Sequence, residues 1–206
     1  YPIGKVLVPG EWMRKMYEPY YGDAVMVWPV GIETEKWQPS TVAKTSDILI
    51  YDKVLGQHDE FEKSLIQPIR EELKQRGLSF REIRYGFYEE EDFQRMLAQC
   101  RAMVFLCGHE SQGIAYQQAL SCGVPILAWD RGGYWQDPEF YPHRVKFGPV
   151  SSVPYWDERC GMKFSDFAQF PGQLDKFWHG IEADQFKPRD FILENLTLEK
   201  CAQAYV

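Results

Sequence analysis

The segment FLCGHESQGIAYQQALSCGVPILAWD, which runs from Phe105 to Asp130, decides the fold. Its first apolar residues are typical of a buried strand, and the stretch from Gly113 to Ser121 is typical of a helix. Val124 and Pro125 then open a second apolar run. A strand, a glycine-containing turn, a helix and a further strand in this order predict one β-α-β unit of a parallel sheet.

The same alternation extends along the chain in both directions. It predicts an α/β protein with a doubly wound, Rossmann-like parallel sheet. The predicted strands are Lys5–Val8, Val25–Val30, Asp47–Tyr51, Phe80–Tyr85, Ala102–Leu106, Pro125–Trp129 and Val145–Phe147. The predicted helices are Glu11–Tyr17, Glu60–Arg76, Glu89–Cys100, Gly113–Ser121, one through Leu174 and Ile181, and a closing helix Phe191–Val206 in which Thr197 is an N-cap for the second part.

Composition excludes several classes of protein. The formal net charge of -7 argues against a nucleic-acid partner, because extended binding to phosphates needs clustered Lys and Arg. No apolar run reaches the roughly 20 residues of a membrane-spanning helix, and the opening residues lack the order of a signal peptide. The five cysteines are scattered and predict reduced, buried thiols. We therefore expect a cytoplasmic protein.

The turn before the predicted helix Gly113–Ser121 has the chemistry of an anion site. A helix that begins at the carboxyl edge of a parallel sheet offers unpaired amides and the positive end of its dipole. Gly113 lets a phosphate approach the backbone, and Glu110 lies at the mouth. Gln118 follows eight residues after Glu110, which is about two turns if most of that interval is helical. Taken alone, Glu110 is also compatible with a helix cap and Gln118 with a polar helix face.

This segment resembles the E-x7-E motif of retaining GT-B glycosyltransferases, in which a Glu, a Gly, a second Glu, a small-residue turn and a Pro recur. Glu110, Gly113 and Pro125 match the motif, whereas Gln118 stands where the family has its second Glu, which binds ribose hydroxyls. The stretch Val27–Pro39 resembles the passage out of the family's N-terminal domain, and Phe191–Tyr205 its closing helix. The resemblance divides the chain into residues 1–40 as the end of an N-terminal domain and linker, 41–190 as the nucleotide-sugar-binding domain, and 191–206 as the crossing helix.

The resemblance also implies roles for individual residues. Glu110 is the candidate catalytic residue that orients the sugar, and Lys53 at a strand end is the candidate cation for the diphosphate; no Arg of the family's kind accompanies it. Tyr85 suits stacking on the base. Lys53 is alternatively an exposed side chain beside Asp52, and Tyr85 a core residue. The candidate donor-binding residues are Lys53, Tyr85, Gly86, Phe87, Ser111, Gln112, Gly113, Ile114 and Gln118.

The implied activity is transfer of a sugar, with retention, from a nucleotide-diphosphate donor to an unknown acceptor, without a metal ion or other cofactor. The histidines form no metal-binding pair: they are His58, His109, His143 and His179. A chain that opens with Tyr1 is expected to lack most of an N-terminal acceptor domain, which a preceding segment or a companion chain supplies. Two alternatives stay open, a non-catalytic nucleotide-sugar-binding module and a sugar-nucleotide epimerase of the same fold.

Overall fold

The computed structural model describes residues 4–135 and 147–205. Five parallel strands form one sheet in the order β4-β3-β5-β6-β7, and a separate two-stranded parallel sheet is made by β1 and β2. The doubly wound α/β prediction is therefore confirmed. The strands are β1 (Val6–Val8), β2 (Val25–Val27), β3 (Ser46–Lys53), β4 (Phe80–Arg84), β5 (Cys100–Cys107), β6 (Ile126–Trp129) and β7 (Gly161–Phe164).

Helices cover both faces of the five-stranded sheet. They are α1 (Glu11–Tyr21), α2 (His58–Phe61), α3 (Gln67–Gln75), α4 (Glu90–Gln99), α5 (Ile114–Ser121), α6 (Phe170–Glu182), α7 (Pro188–Asn195) and α8 (Leu198–Gln203), and a π-helical turn, Glu62–Ile66, joins α2 to α3. Alternation along each strand sends every second side chain to the same face. In β3, Leu49 and Tyr51 pack with α4 and α5, whereas Ile48 and Ile50 pack with α3 and α6.

Strand β7 is absent from the prediction. It is a four-residue edge strand in which only the first and last residues are buried, so it has no apolar run to mark it. Its first residue, Gly161, has a φ of +135°, and a Cβ there would lie 2.0 Å from the carbonyl oxygen of Ile126 on β6. Residues 145 and 146 of the predicted strand Val145–Phe147 lie outside the described residues, and Phe147 is not in a strand.

The closing helix Phe191–Val206, predicted with a second part that Thr197 caps, is two separate helices, α7 and α8, with a break between them. The break has a physical cause, because the amide of Ile32 donates to the carbonyl oxygen of Leu196 at 2.8 Å and Ile32 bridges Thr197 in parallel register. Thr197 is the N-cap of α8, as predicted, since its side chain accepts from the amide of Lys200. Leu196 is 1% exposed, which places it in the core.

The prediction for the cysteines is confirmed, because all five are free and four are buried, with Cys122 half-buried. Within the described ranges, no helix is long and apolar enough to cross a membrane. The division of the chain at residues 40 and 190 stays a prediction.

Candidate functional site

The predicted site residues Lys53 and Glu110 meet at the carboxyl edge of the sheet. Lys53 is the last residue of β3, Glu110 follows β5, and the Nζ of Lys53 donates to Oε1 of Glu110 at 2.6 Å. Both side chains are mostly enclosed, with 16% and 8% of their surfaces exposed. The parallel sheet brings the two side chains to one edge, and the alternative of Lys53 as an exposed side chain is wrong.

Burial and charge act in opposite directions on Lys53. Burial lowers the pKa of its ammonium group, but the neighbouring Glu110 carboxylate and its hydrogen bond outweigh that effect, and the pKa is raised overall. Burial, together with the charge of Glu110, raises the pKa of the adjacent Cys107 thiol. The ammonium and the carboxylate therefore face each other as a charged pair beside a neutral thiol.

The backbone of Glu110 is held by two segments that are distant in sequence. The indole Nε1 of Trp12 in α1 donates to the carbonyl oxygen of Glu110 at 2.7 Å, and the amide of Glu110 donates to the carbonyl oxygen of Ser151 at 2.9 Å. His109 packs edge-on to Trp12, with ring centroids 6.1 Å apart. No local pattern marks Trp12 or Ser151 as site residues, since their roles arise only from tertiary contacts.

Gly113 is required by the turn that starts α5. It is the N-cap residue, with φ 83° and ψ 55°, a conformation that glycine adopts without a Cβ penalty. A Cβ at this position would lie 2.1 Å from the ring of Tyr116 and 3.3 Å from Cγ of Glu110. Since no side chain caps α5, the alternative of Glu110 as its cap is wrong. The first amides of α5 point to the carboxyl edge of the sheet, where Glu110 lies.

The neighbouring candidates differ in accessibility. Ser111 and Ile114 are exposed, whereas Gln112 is 4% exposed and its Oε1 accepts from the amide of Val30 at 2.8 Å. The side chain of Gln112 is thus hydrogen-bonded to the backbone of the segment after β2. Gln118 is half-buried on α5. Because α5 begins at Ile114, only the second half of the interval from Glu110 to Gln118 is helical, and Gln118 lies about one turn into the helix. The spacing of two turns, which required most of that interval to be helical, is not formed.

An exposed aromatic surface borders the ion pair where β4 ends. The ring centroid of Tyr85 lies 4.4 Å from Nζ of Lys53, and the amide of Tyr85 donates to the carbonyl oxygen of Asp52 at 2.8 Å. Tyr85 is 44% exposed and Phe87 is 78% exposed, so the interpretation of Tyr85 as a core residue is wrong. Gly86, between them, has a φ of +84° with open space around it. Tyr85 therefore presents an exposed ring beside the ammonium group, whereas the exposed ring of Phe87 has the guanidinium carbon of Arg84 5.5 Å from its centroid.

Asp52 and His58, which sequence reasoning left out of the site, form a second pair at the end of β3. Nε2 of His58 lies 2.7 Å from Oδ2 of Asp52, and the amide of Val54 donates to Oδ1 at 3.0 Å. Asp52 is 2% exposed. The two residues are six positions apart in sequence, across the loop into α2, and this proximity is what the sequence offers to predict the pair. Asp52 lies at the carboxyl edge of the sheet, and His58 begins α2.

A third cluster follows β6 and supports the loop that binds Glu110. Oδ1 of Asp130 accepts from the amide of Ser152 at 2.9 Å, and Oδ2 accepts from Nζ of Lys163 at 2.9 Å. The carbonyl oxygen of the adjacent Ser151 then accepts from the Glu110 amide. Trp12 and Ser151 also line one cavity, of about 260 Å³, whose other lining residues are Glu11, Lys15, Val153, Pro154, Trp156 and Lys163.

Within residues 4–135 and 147–205, no group of three or more His, Cys, Asp or Glu side chains is placed to hold a metal ion. His58, His109 and His179 lie on separate elements of the chain, and His143 lies outside the described residues.

One family model matches the middle of the chain. Residues 54–136 match the family model for glycosyl transferases group 1, a range that contains Glu110, Gly113 and Gln118 and starts directly after Lys53. No curated protein sequence matches the chain.

Solved structures give the particular likenesses. A mutant of S. aureus TarM in complex with Fondaparinux, alpha-GlcNAc-glycerol and UDP is 13% identical, with a TM-score of 0.66, over 98% of this chain and 43% of that one. Sucrose-phosphate synthase from Thermosynechococcus elongatus is 13% identical, with a TM-score of 0.62, over 97% of this chain and 56% of that one. The pneumococcal O-GlcNAc transferase GtfA in complex with UDP and GlcNAc is 12% identical, with a TM-score of 0.57, over 98% and 44%.

At this level of identity the likeness shows the fold, which is that of GT-B glycosyltransferases. The chain spans about half of the length of these proteins.

Proposed function

We propose that this chain binds a nucleotide-diphosphate sugar at the carboxyl edge of its sheet and serves the transfer of that sugar, with retention, to an acceptor. The observation that supports this most is the position of Lys53 and Glu110. The 2.6 Å pair lies next to Gly113, the N-cap of α5, and beside the exposed ring of Tyr85. The family match over residues 54–136 and the UDP in two structural neighbours support the same ligand class.

Each part of the donor has a group of suitable chemistry. The first amides of α5 and the ammonium of Lys53 suit the diphosphate, because both supply positive charge at the strand ends. The exposed rings of Tyr85 and Phe87 suit stacking on the base. The carboxylate of Glu110 suits sugar hydroxyls, which donate hydrogen bonds to it, and the carboxamide of Gln118 suits the ribose without adding charge.

In this arrangement the catalytic contribution is electrostatic. As the bond from sugar to diphosphate breaks, negative charge grows on the leaving diphosphate, and fixed donors aimed at that charge lower the barrier. Lys53 and the α5 amides would act in this way. Glu110 would hold the sugar so that the reacting carbon faces the acceptor.

The ion pair has a consequence for binding. Without a ligand, Glu110 accepts the hydrogen bond of the Lys53 ammonium, so a diphosphate must compete with Glu110 for the same cation. A sugar hydroxyl that donates to Glu110 replaces the hydrogen bond that the carboxylate loses when Lys53 binds the diphosphate. We therefore expect a complete nucleotide sugar to separate the pair more readily than a bare nucleoside diphosphate does.

The acceptor would enter from the side of α1. Trp12 links α1 to Glu110, and the cavity lined by Trp12, Ser151 and Trp156 opens there. We propose that a complete acceptor site also needs an N-terminal domain or a companion chain, since closure of two domains normally excludes water from such reactions. The structural likeness to a GtfA/B complex is in line with a companion chain.

Isothermal titration with UDP, UDP-glucose and UDP-N-acetylglucosamine tests the donor assignment, with ADP, GDP and their sugars as further ligands. We expect Lys53→Ala to weaken binding of nucleotides and nucleotide sugars alike, by about 10-fold or more, which is the size of one charge-assisted hydrogen bond. Glu110→Ala should weaken binding of the sugar-bearing ligands and leave bare nucleotides bound equally well or better, because it frees Lys53. Lys74→Ala, an exposed change on α3, is the control.

Equal losses for both variants with both kinds of ligand would refute the division of roles. Failure of the unaltered chain to bind any of the nucleotides would refute the function itself. Product analysis with an N-terminal domain or companion chain present separates the remaining possibilities. A transferase releases a glycosylated acceptor, an epimerase releases an altered sugar nucleotide, and a binding module releases neither.

A further inference from the structure

A guanidinium group whose Nε has no hydrogen-bond acceptor lies at the edge of the sheet between β5 and β6. Arg131 follows β6, and its Nε is buried with no hydrogen-bond partner in the described part of the chain. Its central carbon lies 6.0 Å from the ring centroid of Trp129. This cation is thus packed against an aromatic ring while at least one of its donors is left unused.

Strand register places Arg131 one residue beyond the level of Lys53, across the end of β5. Lys53 on β3 pairs with Cys107 on β5, and Leu106 on β5 pairs with Trp129 on β6. Since neighbouring strands are about 4.8 Å apart, β3 and β6 are separated by about 10 Å. Two long side chains can close around a diphosphate over that distance. Lys53 lies beside Tyr85 on the β3 side of β5, and Arg131 lies beside Trp129 on the β6 side.

Gly108 leaves the space between these cations open. It directly follows Cys107, and a Cβ added there would meet one heavy atom within 4 Å, which is Nε of Arg131 at 4.0 Å. The end of β5 therefore offers bare backbone, with a cation at each side.

An unpaired buried donor on a charged group is unfavourable in the absence of a ligand. Burial lowers the pKa of Arg131, which shows the direction of this cost, although a guanidinium group stays charged in proteins. This cost is removed when an anion enters and accepts a hydrogen bond from Nε of Arg131. The planar fork of Arg suits the paired oxygens of a phosphate.

We propose that Arg131 is the second cation of the diphosphate site, and that the diphosphate lies over Gly108 between Lys53 and Arg131. This inference rests on the proposed function and adds a residue that lies outside the pattern from which the site was predicted. It assigns to the segment after β6 a direct contact with the donor. The expected ligand group is a diphosphate, with the nucleoside extending toward Tyr85.

The test compares Arg131→Met with Arg81→Met, an exposed change on β4, and with Lys53→Ala. Titrations use UDP, UMP and uridine, with the other common nucleoside diphosphates if UDP is not the preferred one. We expect Arg131→Met to weaken the nucleoside diphosphate by about 10-fold or more and to leave the nucleoside unaffected. Arg131→Lys should recover part of the loss, because it restores charge without the bidentate fork.

Urea unfolding without ligand separates a binding role from a structural one. Methionine keeps the apolar contact with Trp129 and removes the unused donor, so Arg131→Met should leave the midpoint unchanged or raise it. A lowered midpoint together with unchanged diphosphate affinity would overturn the inference. If Lys53→Ala weakens the diphosphate and Arg131→Met does not, the inference fails and the proposed function stands. If the unaltered chain binds no nucleotide, both fail.

Discussion

Removing the ammonium group from Lys53 should lower the urea concentration at which the chain unfolds. The reason is that Glu110 would be left as a buried, unpaired carboxylate. In Lys53→Met the long apolar stem remains, but the 2.6 Å hydrogen bond is lost. Breaking a buried pair by removing one partner costs about 3 to 5 kcal/mol. The Lys53 side chain keeps 16% of its surface exposed, so water can reach the site, and we expect a value near about 3 kcal/mol.

The double variant Lys53→Met/Glu110→Gln distinguishes this cause from a simple loss of packing. Once the carboxylate is replaced by a neutral amide, no unpaired charge remains, so the double variant should recover most of the stability that the single one loses. Urea unfolding followed by tryptophan fluorescence gives each free energy, with Lys74→Met on α3 as the exposed control. A single variant as stable as the control, or a double variant no more stable than the single one, would refute the reasoning.

Two further predictions concern backbone and thiols. Gly113→Ala should destabilise by about 2 to 5 kcal/mol, from its φ of +83° together with the 2.1 Å approach to the Tyr116 ring. Gly77→Ala, at φ +69° in open space, should cost only about 1 to 2 kcal/mol, and equal losses in urea unfolding would remove the steric argument. Burial raises the pKa of Cys100 and of Cys160 to about 12, so these thiols are neutral at pH 8 and should react with a disulfide reagent only after denaturation. Cys122 is only half-buried and should react first; rapid labelling of Cys160 in the folded chain would contradict this.

Local pattern was sufficient for four of the five strands of the main sheet. The strands β3, β5 and β6 are short apolar runs bounded by turns, and their parallel order brings Lys53 and Glu110 to one edge. That convergence follows from topology alone, which is why it could be predicted from the sequence.

What could not be predicted depends on contacts between distant segments. The break between α7 and α8 arises from backbone pairing with Ile32, and the position of Glu110 depends on Trp12 and Ser151. Strand β7 has too few buried residues to give a periodic signal. Arg131 could not be predicted as a site residue, because nothing in the neighbouring sequence shows that its Nε has no acceptor.

The central claim is that the donor diphosphate binds at the ends of β3 and β5, in front of α5. A crystal structure of the chain with bound UDP, or with the nucleoside diphosphate that titration prefers, tests it most directly. We expect diphosphate oxygens within about 3 Å of Nζ of Lys53 and of the first amides of α5, with the base against Tyr85 or Phe87. A nucleotide bound elsewhere, with the Lys53 and Glu110 pair undisturbed, would contradict it.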